Sequence, residues 1–497
     1  MKRKSDNVKS KKIVIISSLM VIIAGILFLS FSYFTPSITE ENNYTTSGGA
    51  NARTPSITYS DLSSGINLTG TYPMTDEEGL TQQSYTFNIR NNESEPVVYD
   101  IYLQTETGNT IADNLVSTSL DGSNPKVLNT FKTDNPSNGY SHSYKIKSGD
   151  LAANANKDFD LKVWLNEVGT IETVQNKNWY GKIFVKARFG LLGTSTIQNI
   201  VDGSPTNSTD VITKTAPEGA TCTNTLAYDG TADNNLRYVG VDPCNYATFN
   251  DEAAGWRIIG VMNNVDDGTG NQETRIKLVR EPLGYYSWDT SSSSENSGYG
   301  YNDWTQSDIM NELNGDYLNT SLSANKNWYN GQNNRLEGIY DYTKGLKEKA
   351  KLLVGETKWT LGGYNTNIAP ASVFYTAEKG TDVYSGRPTQ WTGKIALMYP
   401  SDFGYAVGGS VRNTCLAKNL NTYDSDSCYS NNWITQSTYQ WFLSPRSSSD
   451  TLVFGINNNL SGSRPYDNSL IRPTLFLTSE ATITGGNGTT NSPYVIG

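Results

Sequence analysis

Residues 391–400 read WTGKIALMYP. A second block, Tyr439 to Leu477, answers them: it opens YQWFLSP, crosses a polar tract and closes IRPTLFL. Both hold dense apolar runs in a chain otherwise rich in Asn, Ser, Thr and Gly. Short apolar runs bounded by Gly, Pro and Ser mark buried strands. Ile395 to Tyr399 therefore reads as a strand that stops at Pro400, with a turn over Ser401-Asp-Phe-Gly-Tyr405. Such strands are scaffold, the core of a C-terminal domain. A site among them would lie in the turns they hold, around Trp391, Asp402 and Arg446.

Working outward, residues 220–497 mix strands and helices. Strands are expected at Leu236–Val241, Tyr246–Phe249, Trp256–Met262 and Arg275–Arg280, then at Gln440–Leu443, Leu452–Ile456 and Ile471–Leu477. Asn457-Asn-Asn459 with Gly462 reads as a turn. Thr305-x-x-Asp308 approximates a capping box, with Ile309, Met310, Leu313 and Tyr317 at helical spacing behind it. A second helix is expected over Tyr340–Val354, with Leu346, Ala350, Leu353 and Val354 inward and Gly355 as its stop. This is an α+β domain.

Upstream, residues 56–189 run strand after strand. Tyr85-Thr-Phe-Asn-Ile89 and Val97–Leu103 alternate. Phe159–Leu165 puts Phe159, Leu161, Val163 and Leu165 on one face and Asp160, Lys162 and Trp164 on the other; Trp179–Ala187 makes a last strand. Asn91-Asn92, Asp121-Gly122 and residues 134–138 separate them. Evenly spaced strands of period two indicate an all-β antiparallel sandwich. Residues 190–219, poor in apolar side chains after Leu192, read as an interdomain linker, and the Ser/Thr/Asn-rich residues 35–55 as a flexible stalk. Before them, Lys2, Arg3, Lys4, Lys9, Lys11 and Lys12 form a basic tail over residues 1–12. Residues 13–34 are an uncharged, mostly apolar run, long enough to span a bilayer as a helix of roughly 20 residues. Flanking positive charge keeps the tail cytoplasmic and the bulk of the chain outside. The run exceeds the about 7–15 residues of a signal-peptide core, so a retained single-pass anchor is expected rather than a cleaved leader. The bilayer is thus one expected partner and the cell membrane the expected location.

Composition narrows the chemistry. Of 497 residues, 31 are Tyr and 10 are Trp, too many aromatics for a disordered chain. The net charge is -10 without a basic patch outside the tail, which excludes nucleic acid as a partner. The single histidine, His142, leaves no parts for a two-histidine metal site or a second histidine-based arrangement, and it reads as a surface residue. No phosphate-binding loop is present. The four cysteines, Cys222, Cys244, Cys415 and Cys428, include no CxxC pair. An even number in an exported chain suggests two disulfides. Of the three possible connectivities, the local pairs Cys222–Cys244 and Cys415–Cys428 are favoured.

Two kinds of site are conceivable. Asp266, Asp267 and Asn271 lie in Asn263-Asn-Val-Asp-Asp-Gly-Thr-Gly-Asn271, with enough oxygens for calcium, the one cofactor considered. Val265 at a ligand position and the lack of a closing Glu break the EF-hand pattern, and a solvated hairpin tip is the plainer reading. Trp304, Trp328, Tyr329, Tyr364, Trp391 and Trp433 lie beside Gly, Asn or Asp and could stack on sugar rings, although core packing accounts for most such residues. Arg387 in Tyr384-Ser-Gly-Arg-Pro388, Asp402 and Arg446 are the polar candidates beside them. No catalytic residue is assigned: a carboxylate pair for glycoside hydrolysis need not be close in sequence, and 49 acidic residues offer no choice.

Two resemblances follow from these strings. Pro73-Met-Thr-Asp-Glu-Glu-Gly79 with Tyr85-Thr-Phe-Asn-Ile89-Arg-Asn91 and Tyr99–Leu103 resembles the surface β-sandwich domains of low-GC Gram-positive bacteria typified by camelysin and the TasA matrix-fibre proteins. The protease activity attached to camelysin is not carried over, because no metal-ligand set is present. Trp256-Arg-Ile-Ile-Gly-Val261, Trp359-Thr-Leu-Gly-Gly363, Met398-Tyr-Pro-Ser-Asp402, Trp441-Phe-Leu-Ser-Pro445 and Arg472-Pro-Thr-Leu-Phe-Leu477 resemble exported proteins of the same bacteria. Their closing pattern is similar to domains of C-type-lectin-like layout, shared with the formylglycine-generating enzyme superfamily. That enzyme's copper-binding cysteine pair is not recognisable here, so the resemblance implies a fold and no catalysis. The expectation is a membrane-anchored cell-surface protein acting as a non-catalytic binding or adhesion module for glycans or surface proteins. A structural matrix or fibre subunit and an extracellular glycan-active enzyme are the alternatives.

Overall fold

Tyr85, Phe87, Ile89 and Asn91 are buried and Thr86, Asn88 and Arg90 are not, so this strand has one wet face and one dry one. The computed structural model describes residues 55–62, 66–206, 208–289, 300–319, 345–425, 427–435, 438–457 and 459–497, together with the backbone of strands Asn327–Asn330 and Arg335–Ile339. The tail, the residues 13–34 read as an anchor and all but the last residue of the stalk lie outside them. Among the described residues no helix is long and apolar enough to cross a membrane. The chain divides into two compact units between Leu191 and Leu192.

In the first unit, two five-stranded antiparallel sheets face each other across one core. The first sheet runs Ile57–Asp61, Tyr85–Asn91, Asn156–Leu165, Val116–Leu120, Lys126–Val127; the second runs Ile66–Asn67, Tyr180–Phe189, Val97–Glu106, Tyr140–Leu151, Thr133–Asp134. Phe87 stacks on Phe159 with centroids 5.0 Å apart, and Tyr99 from the other sheet meets Phe159 edge-on at 5.6 Å. This is the expected sandwich. Trp164 corrects one detail. Strict alternation points it outward, yet it is 1% exposed. The short helix Asp76–Gly79 covers it, and Gly79 sits so close that a methyl group there would collide with the indole. A reciprocal box holds that helix: Thr75 Oγ1 accepts from the Glu78 amide at 3.2 Å, and Glu78 Oε2 accepts from the Thr75 amide at 3.1 Å.

The second unit is built on the hairpin of Glu252–Asp266 and Gln272–Arg280, whose register pairs Trp256 with Arg280 and Asp266 with Gln272. Leu236–Tyr238 and Tyr246–Phe249 add to the free edge of the first strand, and Thr474–Phe476 adds to the second and carries Ile395–Ala396 beyond it. A second five-stranded sheet runs Gly284–Ser287, Asn468–Ile471, Gln440–Pro445, Val453–Ile456, Leu460–Ser463. Helices Ala371–Glu378 and Pro400–Tyr405 pack on each other. The disulfides are Cys222–Cys244 and Cys415–Cys428, the local pairs that were favoured, and no cysteine is free.

Several expectations change here. Residues 190–219 are not a bare linker: helix Gly193–Ile200 buries Ile197 in the core of the second unit, and Ile212–Lys214 pairs with Asn224–Tyr228. The strand expected over Ile395–Tyr399 pairs with Thr474–Phe476 through Ile395 and Ala396 only. The Met398 carbonyl instead accepts from Leu443 in the other sheet, and Pro400 opens a helix where a turn was expected. Ser307, not Thr305, caps Asp308–Glu312, taking the Met310 amide at 3.2 Å, while Asp303 caps the preceding turn. The helix expected over Tyr340–Val354 is observed as Glu348–Leu353; residues 340–344 lie outside the described ones.

Candidate functional site

Two clusters draw polar side chains together in the second unit, one buried and one at the surface. The buried cluster forms where four elements meet. Arg237 comes from Leu236–Tyr238, Lys277 from Gln272–Arg280, Asp402 from the first turn of Pro400–Tyr405, and Glu378 from the end of Ala371–Glu378. Arg237 bridges Asp229 (Nε to Oδ2, 2.9 Å) and Asp402 (Nη1 to Oδ1, 2.7 Å). Lys277 Nζ lies 2.5 Å from Asp402 Oδ2, which also accepts the Tyr399 amide at 2.9 Å. Glu378 accepts the Ser401 amide at 2.9 Å and the Ser401 hydroxyl. Tyr399, Phe476 and Trp359 surround Lys277 Nζ at 4.7, 5.4 and 5.8 Å from their ring centres.

Burial sets the direction of the shift at two groups of this cluster. It pushes the Glu378 carboxyl up to about 7, against the Ser401 donors, and draws the Lys277 amine below its ordinary value despite Asp402 beside it. Burial also pushes Asp402 upward, but Lys277 and Arg237 outweigh it and hold the carboxyl below its ordinary range. Ionised, Asp229, Arg237, Asp402 and Lys277 sum to zero, and a protonated Glu378 leaves the cluster neutral.

The surface cluster gathers the aromatic and arginine candidates. The Arg387 guanidinium lies 4.6 Å from the ring centre of Tyr301 and 6.0 Å from that of Tyr384. Its Nε donates to Asn302 Oδ1 at 3.3 Å, and the buried Asn302 amide donates to the Ser449 carbonyl at 2.6 Å and the Arg446 carbonyl at 3.3 Å. Arg446 Nε donates to the Asn365 carbonyl at 2.9 Å. Ser447 donates its amide to the Tyr364 carbonyl at 3.1 Å and its hydroxyl to Asp382 at 3.0 Å. Among the described residues neither arginine has a carboxylate partner. Half-buried Trp391 meets Trp304 edge-on at 5.9 Å.

Of the candidates, Tyr364, Arg387 and Arg446 thus converge on one rim, while Trp391 packs on Trp304. Three others are corrected. Trp304 and Trp433 are 2% and 5% exposed and unavailable for stacking. Trp304 packs on Trp288 at 5.6 Å, and Trp433 donates Nε1 to the Tyr238 carbonyl at 2.9 Å. Asp402 belongs to the buried cluster, not to a turn facing solvent. Trp328 and Tyr329 lie in a strand whose side chains are outside the description. His142 is surface-exposed, as expected, and its Nδ1 lies 2.8 Å from Asp113.

The candidate calcium residues form the tip of the Glu252–Asp266/Gln272–Arg280 hairpin. Asp266 Oδ1 accepts the amides of Gly268 (2.9 Å) and Gly270 (3.0 Å), and Asp267 Oδ1 accepts those of Thr269 (2.8 Å) and Asn271 (3.2 Å). Asn271 turns its amide nitrogen to Asp267, at 3.1 Å. Burial raises Asp267, but the Thr269 and Asn271 donors outweigh it and lower its pKa. The tip is closed by its own oxygens. Among the described residues no group of three or more His, Cys, Asp or Glu could hold a metal ion.

Arg237, Lys277 and Glu378 escaped sequence reasoning. The available signal was their setting: Lys277 stands between Ile276 and Leu278, both buried, so an apolar run carries a cation inward. No protein-family model matches the chain, and no curated protein matches it.

Proposed function

We propose that the chain is a membrane-anchored surface protein whose second unit, lectin-like in layout, is a non-catalytic binding module for glycans, engaged through the rim of Tyr301, Tyr364, Tyr384, Arg387 and Arg446. The anchor and the outward orientation rest on residues 1–34. One observation carries the ligand: Arg387 lies against two tyrosine rings with Asn302 fixing its Nε, and the same Asn302 donates to the carbonyl of Arg446, whose Nε faces the Asn365 carbonyl and the Ser448 hydroxyl. Ring faces flanked by amide, carboxylate and guanidinium groups suit a sugar, whose C–H face stacks while its hydroxyls take hydrogen bonds. The carboxylates that do come together, Asp402 and Glu378, are 2% and 3% exposed and tied to Lys277, Arg237 and Ser401, which speaks against their use on a glycosidic bond.

The test is a glycan array probed with the detergent-solubilised full chain and with Arg387→Ala and Tyr384→Ala. Binding by the parent that falls at least tenfold in both variants is expected. Binding that survives both substitutions moves the site elsewhere, and no binding by the parent removes the glycan reading.

A further inference from the structure

We propose that Lys277 and Asp402 condense into an intramolecular isopeptide bond, so that the central strand Gln272–Arg280 and the helix Pro400–Tyr405 are covalently joined inside the second unit. The reasoning starts from placement. Lys277 sits on a strand paired on both sides, with Glu252–Asp266 and with Thr474–Phe476, and its side chain is 3% exposed. Asp402 is fixed by the Tyr399 amide on Oδ2 and by Arg237 on Oδ1. Nζ lies 2.5 Å from Oδ2 and so one bond from Cγ, the atom it would attack; near-attack geometries hold reacting atoms about 3–3.5 Å apart.

The surroundings favour the neutral form of the amine, the nucleophile that such a reaction needs. Trp359, Tyr399 and Phe476 line the amine, and the site is closed to water. The same dryness that raises Glu378 lowers Lys277. Among the described residues, the charged or titratable groups around the pair are Arg237 on Asp402, Asp229 behind Arg237, the Tyr405 ring against Arg237, Glu378 on Ser401, and the Tyr399 phenol. Arg237 stabilises the carboxylate and so resists the first proton transfer. Once the nitrogen adds, the same donor faces the oxygen that takes up negative charge.

The step balances without any further reactant. The Lys277 ammonium passes one proton to Asp402 Oδ2, which gives an amine and a carboxylic acid. The nitrogen lone pair adds to Cγ, and Oδ1 carries the negative charge against Arg237 Nη1. Collapse re-forms the Cγ–Oδ1 double bond and breaks Cγ–Oδ2. Oδ2 departs as water with the proton it received and one more from the nitrogen, which leaves an Nζ–Cγ amide. A cation and an anion are replaced by a neutral amide, and Arg237 remains paired with Asp229. Removing a buried ion pair in this way also removes its desolvation cost.

The test needs no variant. The full chain, purified in detergent, is reduced, alkylated, denatured and digested with trypsin. Lys277 lies between Arg275 and Arg280, and Asp402 lies in the segment from Ile395 to Arg412. The expected product is one branched peptide, Ile276–Arg280 joined to Ile395–Arg412, lighter by one water than the two together, with no cleavage after Lys277. Fragment ions place the link at Lys277 and Asp402. Cleavage after Lys277 together with a linear Ile395–Arg412 peptide of full mass overturns the proposal and leaves an ordinary buried ion pair. Loss of water confined to the Ile395–Arg412 peptide overturns it too.

Discussion

Glu378 is the residue through which pH acts on the second unit most directly. Its folded pKa is about 7 against an ordinary 4.5, raised chiefly by burial. Between those values the folded state holds a proton that the unfolded state has lost. Its stabilising contribution is therefore complete below about pH 4.5 and is lost as pH rises through about 7, to a total of roughly 3 kcal/mol. Glu378→Gln keeps an oxygen for the Ser401 donors and does not titrate. Urea unfolding at pH 5 and pH 8 should show the parent losing stability between them and the variant losing distinctly less. Arg237 makes the opposite kind of test. Arg237→Ala leaves Asp229 buried without its cation, and a loss of about 3–5 kcal/mol in the same measurement is expected. These residues were hard to read in the sequence for a physical reason. Asp402 sits in a Pro-Ser-Asp-Phe-Gly string that looks like a surface turn, and only the partners brought from distant elements make it a core residue. Trp304, Trp391 and Trp433 have similar neighbours in sequence, yet one is half-buried and two are enclosed, because local composition carries no information about what packs on top.

At the scale of elements, the helix Asp76–Gly79 shows how much one turn can decide. It covers Trp164, and the contact requires a residue without a side chain at Gly79. Gly79→Ala should destabilise the first unit by about 1–3 kcal/mol through overpacking, and Thr75→Ala by about 1 kcal/mol through loss of the cap. Thermal unfolding of each variant followed through tryptophan fluorescence checks both; a stability unchanged in Gly79→Ala would mean the indole has room to move. Strands such as Tyr85–Asn91 were legible because period-two alternation is local and they have one dry face, whereas Val97–Glu106 and Val116–Leu120 are buried along nearly their whole length. The outward assignment of Trp164 failed where that condition fails, since a helix gives the strand a second dry face. In the second unit the same rule over-extended Ile395–Tyr399. An apolar run does not say which of two sheets takes each residue, and here Ile395 and Ala396 serve one while Met398 serves the other.

For the whole molecule, the two disulfides are the feature most open to direct manipulation. Each closes a short loop, with sequence separations of 22 and 13 residues. Replacing Cys415 and Cys428 together by Ser should cost about 2–4 kcal/mol of unfolding free energy, read by urea titration against the parent. Their pairing was legible because local bridging is the simplest of three connectivities. The character of the stretch read as a linker was not legible. Residues 193–214 are polar enough to pass for a tether, and Ile197 alone gave little sign that they dock on a core.

The strand Tyr494–Ile496 runs parallel to Tyr246–Phe249, which stands at the other end of the same unit in sequence. A ribosome working at roughly 5–20 residues per second takes tens of seconds to go from one to the other. Through that interval the early strand has emerged and its partner does not exist. A chain that crosses a membrane as it is made would thus reach the far side still open along that edge, which shuts only when Tyr494–Ile496 arrives.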